Sequence, residues 1–237
     1  MKWQGPLFWF VSLISIAHAP VTAQTPNPMF SEETLSIGNY EQYGHLKDIP
    51  QDMRSQVLIA LSFYPELRNT KIILRYRKRR TPLSSRPRVW STFRKKKNRT
   101  YVITISIKSN QHLMPILFSN LPYNTQIGVI GHELSHISAY RTQTSGQLLG
   151  LYTSLLKSKN VDAFEFSTDS TCIAHGLGHQ LLAWSSYVRN ALDIPEWRGA
   201  PKSNYQKKSQ NMNLRYMNPA TIKNHMDKNP IYNDLPF

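Results

Sequence analysis

The chain has 237 residues, a formal net charge of +15 and a single cysteine, Cys172. One thiol excludes any intramolecular disulfide, so the fold must rest on its hydrophobic core and on any metal it holds. The length suffices for one domain with a sizeable core, and no internal repeat divides it.

The N-terminus reads as an address. Lys2 supplies a positive start, and Leu7 to Ala17 is an apolar run too short to span a bilayer. Small-x-small cleavage signals follow at Ala17-His18-Ala19 and Val21-Thr22-Ala23. Pro20 would hinder the first, so residues 1–23 are expected to be a signal peptide cut after Ala23, with an uncleaved N-terminal anchor as the alternative. Residues 24–237 then form a single exported domain, periplasmic or secreted. No cysteine stands directly after the apolar run, which argues against a lipid anchor, and the mature part shows no transmembrane span.

Gln24 to Asn39 is rich in Pro and Thr and reads as extended chain. Gln51 to Phe63 carries Val57, Leu58 and Leu61 at helical spacing, and Pro65 closes that helix. Thr70 to Tyr76 and Tyr101 to Ile107 are β-branched runs, hence strands. Between them Arg75, Arg77, Lys78, Arg79, Arg80, Arg86, Arg88, Arg94, Lys95, Lys96, Lys97 and Arg99 crowd a basic loop, 75–99, with Trp90 and Phe93 interleaved. Such a loop is either a solvated surface or a contact for nucleic acid, an anionic envelope surface or an acidic substrate. No recognised nucleic-acid module accompanies it.

Asn124 to Tyr140 is predicted as a helix, capped by Asn124 or Thr125. It carries His132-Glu133-Leu134-Ser135-His136. Helical residues four apart point from one face, so both imidazoles can grip one metal ion, and Glu133 can take a proton from a metal-bound water. A further apolar helix is expected from Gly146 to Leu156, and a longer one from Asp162 to about Asn190. The longer helix puts Glu165 and Asp169 one turn apart. Catalytic zinc usually takes three protein ligands plus water, and Glu165 can be the third. Flanked by Phe164 and Phe166, its carboxylate should be partly buried and in need of a partner. Asp169 can accept a hydrogen bond from the free ring nitrogen of a ligating histidine. A helix start stabilised by its dipole is the plainer explanation of acidic residues here, and it suits Asp162 better than Glu165.

His175 and His179 are a second pair four apart. On a continuous helix they would lie about 15 and about 21 Å along the axis from Glu165, too far to share its metal. A break at Gly176 or Gly178 would keep an all-histidine site open. Cys172, close to two turns from Glu165, reads as a buried structural thiol.

The motif His132-Glu133-x-x-His136 followed by Glu165-x-x-x-Asp169 resembles the gluzincin metallopeptidases. Phe164-Glu165-Phe166-x-x-Asp169 is particularly similar to the HtpX-type and CAAX-prenyl-protease family. The likeness covers about residues 125 to 185. It implies His132, His136 and Glu165 as zinc ligands, Glu133 as general base and Asp169 as the residue orienting a ligand. Those relatives are built around several membrane spans and this chain has none in its mature part, so the resemblance is to a small soluble version of the catalytic core.

From about residue 195 the chain turns Pro-, Asn- and Lys-rich, with one short helix expected from Pro219 to Met226. Tyr216 and His225 in this tail are candidate oxyanion donors if it folds over the cleft. Strands first and helices after indicate an α+β domain, zincin-like in having a strand ahead of the H-E-x-x-H helix. The reading favoured is an exported metallopeptidase with one Zn2+ per chain and a polypeptide substrate. The alternatives are a non-catalytic exported protein of zincin-like fold that attaches to anionic surfaces through the basic loop, and a zinc hydrolase of non-peptide amides.

Overall fold

A sheet with strand order β1-β2-β4-β3 forms one layer of the α+β fold and helices form the other. The computed structural model describes residues 24–32, 37–199 and 215–233, so the expected signal peptide lies outside the described residues. Strands β1 (Lys47–Asp48), β2 (Lys71–Arg77) and β4 (Thr100–Ser106) run parallel, with Lys71 opposite Thr100. The short β3 (Leu83–Pro87) runs antiparallel to β4 at the sheet edge, Leu83 opposite Ile105 and Pro87 opposite Tyr101. β4 is buried along its whole length, as its run of β-branched residues requires. α2 (Tyr123–Thr142) packs against β3, α1 (Arg54–Ser62) packs on α2, and α3 (Ser145–Ser154) follows α2 directly. α4 (Ser158–Ala174), α5 (Gly178–Leu192) and α6 (Pro219–Asp227) complete the described helices. No helix among the described residues is long and apolar enough to cross a membrane.

Four expectations are corrected. The helix foreseen from Asp162 to Asn190 is two helices, α4 and α5. The break is a Schellman motif: Gly176 takes φ +98°, its N–H donates to the Ile173 carbonyl at 2.9 Å, and the Leu177 N–H reaches the Cys172 carbonyl at 3.2 Å. The segment 75–99 is not a loop throughout, since Arg75 and Arg77 belong to β2, Leu83–Pro87 is β3, and 3-10 turns occupy Val89–Ser91 and Lys96–Asn98. Asn124 does not cap α2; Pro122 holds that position, and the Asn124 amide clasps both backbone groups of Phe30, at 2.9 and 2.8 Å. Finally, Asn39 lies in a 3-10 stretch, Ile37–Gly44, so extended chain does not run to the end of the segment 24–39.

α2 lies unusually deep because two small residues let other helices reach its axis. A Cβ on Gly128 would fall 2.1 Å from the Gln180 carbonyl oxygen of α5, and one on Gly131 would fall 2.5 Å from Leu177 Cδ1. Only glycine admits such contact. The metal-motif residues one turn on are thereby held against α4 and α5 rather than turned to solvent.

Candidate metal centre

His132 and His136, one turn apart on α2, face Glu165 on α4. Glu165 Oε2 is 3.2 Å from Nε2 of each histidine, and the three candidate ligand atoms lie within 4.8 Å of one another. Three atoms bound to one zinc at about 2.0–2.1 Å with tetrahedral angles would be about 3.3 Å apart. The two histidine–glutamate separations match that spacing.

The hydrogen bonds behind the site decide which nitrogen faces it. His132 Nδ1 is 2.8 Å from Asp169 Oδ1, a carboxylate that can only accept, so this nitrogen carries the hydrogen. Thr168 Oγ1 donates to the Phe164 carbonyl at 2.9 Å, so at 3.2 Å from His136 Nδ1 it accepts. With the imidazoles neutral, both Nε2 atoms are therefore lone pairs, aimed at a carboxylate oxygen that has no other donor. Three converging lone pairs repel unless a positive charge sits among them. The acid–base balance agrees. Burial disfavours the charged form of His132, but Asp169 and Glu165 outweigh it and hold its pKa well above the ordinary value. Burial likewise pushes Glu165 up, yet His136 and His132 pull it below the usual carboxylate range. The cluster can hold a proton or a cation.

Asp169 is itself fixed, because its second oxygen accepts from the Met217 N–H at 2.7 Å. That bond draws the chain before α6 over the centre. Trp197 stacks on Tyr216 there, with ring centroids 6.4 Å apart, and Tyr216 lies 5.6 Å from the His132 ring. Arg198 and Arg215 both donate to the buried carboxylate of Asp162, at 2.6 and 2.7 Å, and tie this roof to α4.

A cleft of about 160 Å³ opens beside the three ligand candidates, lined in part by Ser84, Ser85, Glu133, Phe164 and Tyr216. Glu133 is buried, and its Oε2 has no hydrogen-bond partner. β3 forms one wall. The Pro82 carbonyl accepts from Ser106 at 2.7 Å and the Arg88 N–H donates to Thr100 at 2.8 Å. That parity turns the backbone N–H and C=O groups of Leu83 and Ser85 away from β4, to the sheet edge at the cleft.

The other candidates lie elsewhere. Tyr216 lines the cleft, but His225 sits edge-on against Phe166, centroids 5.8 Å apart, and is not among the lining residues. His175 stacks on Tyr64 at 4.3 Å and has Nε2 3.2 Å from Glu66 Oε1, while His179 packs against Tyr232 at 5.6 Å. Neither joins the metal candidates. Cys172 is fully buried near Tyr64 and Gly131, where burial pushes its thiol up to about 12. The roof residues Trp197 and Met217 were not foreseen; an apolar Trp within a polar tail was the available signal. Comparison with protein-family models, with curated proteins and with solved structures returns no match.

Proposed function

We propose that the protein is a zinc-dependent metallopeptidase of zincin-like architecture. The observation that carries this reading is the convergence of His132 Nε2, His136 Nε2 and Glu165 Oε2 beside a buried carboxylate, Glu133, whose Oε2 no donor satisfies. Burying a carboxylate without a partner is costly, and a purely adhesive protein would have no use for it. The set of two imidazoles and one carboxylate suits zinc, which when bound would acidify a water and polarise a carbonyl.

The chain's own groups supply the rest. Asp169 and Thr168 hold the two imidazoles in the tautomer that presents Nε2. Glu133 accepts the proton of the attacking water and returns it to the departing amine, and its burial keeps bulk water from competing for that proton. The outward N–H and C=O groups of Leu83 and Ser85 offer an extended peptide an edge to pair with, which sets the scissile bond along the cleft. Tyr216, whose side chain lines the cleft, is the candidate donor to the developing oxyanion.

The test is metal analysis of the purified protein and of Glu165→Ala, together with hydrolysis of casein or a peptide library. The parent should carry one zinc per chain and lose activity to a chelator, and Glu165→Ala should lose most of its metal. Stoichiometric metal in Glu165→Ala would refute the ligand set.

A further inference from the structure

The face of the sheet beyond the cleft carries exposed apolar side chains inside a field of one charge. Trp90, in the 3-10 turn Val89–Ser91 that follows β3, is 82% exposed, Phe93 just after that turn is 75% exposed, and Val89 is exposed as well. Across an apolar groove of about 560 Å³, whose walls include Arg86 and Tyr152, stands the exposed Leu149 of α3. A large exposed Trp and Phe three residues apart cost free energy in water and mark a contact surface. Arg86, Arg88, Arg94, Lys95 and Lys97 are exposed around them. From Leu67 to Val161 the only acidic residue is Glu133, which is buried at the metal centre, so no carboxylate in this stretch offsets those cations at the surface. Arg99 is excepted from the patch, being buried and donating to the Gln143 carbonyl at 2.6 Å and to Ser145 at 3.1 Å. Lys96 is also engaged, with the Thr142 carbonyl.

We propose that this face docks on an anionic phospholipid bilayer, with Trp90, Phe93 and Val89 entering the headgroup layer and the surrounding cations meeting lipid phosphates. Trp and Phe are the side chains that partition into that layer, and basic residues add attraction to acidic lipid. A polyanion such as nucleic acid would use the same cations but would give no role to Val89 and Leu149, which have no flat ring to stack on bases. The inference does not rest on the metal site.

The full chain is mixed with vesicles of phosphatidylglycerol and phosphatidylcholine, or of phosphatidylcholine alone, and the bound fraction is read by sedimentation. The acidic vesicles should bind the protein more tightly, with the excess lost at high salt. Trp90→Ser/Phe93→Ser, which keeps every charge, should weaken that excess at least tenfold. Arg88→Gln/Arg94→Gln/Lys95→Gln/Lys97→Gln, which keeps the aromatics, should weaken it by roughly a thousandfold. All lie at exposed positions, and circular dichroism verifies that the variants fold. Equal binding to both vesicle types, or an excess untouched by the aromatic substitutions, overturns the proposal. Retention on duplex DNA that survives loss of the aromatics, without vesicle binding, overturns it in favour of nucleic acid.

Discussion

Glu133 and Asp169 are both buried carboxylates within one site, yet their surroundings give them opposite tasks. Asp169 has each oxygen engaged, one by His132 and one by the Met217 N–H, and so acts as a fixed strut. Glu133 has an oxygen without any partner and so remains able to receive a proton. Glu133→Gln keeps the shape and removes the basicity. Turnover of a responsive peptide should fall 10²- to 10⁴-fold with metal content unchanged. A variant that cleaves at the parent rate would show that another group serves as base. The grouping of His132, His136 and Glu165 was legible in the sequence because helical spacing fixes which side chains share a face. The role of Thr168 was not, since a hydroxyl that turns a histidine leaves no pattern in the chain.

At the scale of elements, legibility followed side-chain shape. β2 and β4 announce themselves through Ile72, Ile73, Val102, Ile103 and Ile105, which pack on a pleated surface. β3 reads Leu-Ser-Ser-Arg-Pro, a short and polar edge strand ending in proline, and such strands carry little periodic signal. The division of α4 from α5 was marked by Gly176, but a single glycine is also tolerated within a helix. Gly128 and Gly131 were silent for a similar reason, because close approach depends on the partner helix. Gly128→Ala would drive a methyl into the Gln180 carbonyl, and a cost of about 1–3 kcal/mol or more is expected. Urea unfolding should show the lowered midpoint, and an unchanged midpoint would mean that the helices are not packed so tightly.

The same scale carries a pH effect. Glu66, in the 3-10 turn Pro65–Leu67, receives the Ser138 hydroxyl of α2 at 2.6 Å and faces His175 at 3.2 Å. Burial raises its pKa, but His175 and Ser138 outweigh it, and the folded value lies below the 4.5 of the free side chain. A depressed carboxyl stabilises the fold above pH 4.5 and loses that contribution as pH falls toward its folded value. Melting temperature should therefore drop on acidification below about pH 4.5, and Glu66→Gln should flatten part of that fall while lowering stability near neutrality. An identical acid limb in the variant would remove Glu66 from the account.

Across the whole molecule, charge is divided as sharply as structure. β2, β3 and the connection from β3 to β4 carry cations and no carboxylate, while the acidic residues Asp162, Glu165 and Asp169 gather on α4. Asp162 joins the two regions of the roof, since Arg198 and Arg215 meet it from segments on either side of residues 200–214. Asp162→Asn should loosen both ends together. Hydrogen exchange would report faster amide turnover at 197–199 and 215–217 with little change in β4. Loss of protection in β4 as well would show that the contact supports the fold and not only the roof.

The position of Cys172 has a practical corollary. Sealed in the interior with its sulfhydryl held in the unreactive form, it should ignore alkylating reagents until the surrounding helices part. Its labelling rate would then count opening events directly, a built-in stopwatch that needs no engineered probe.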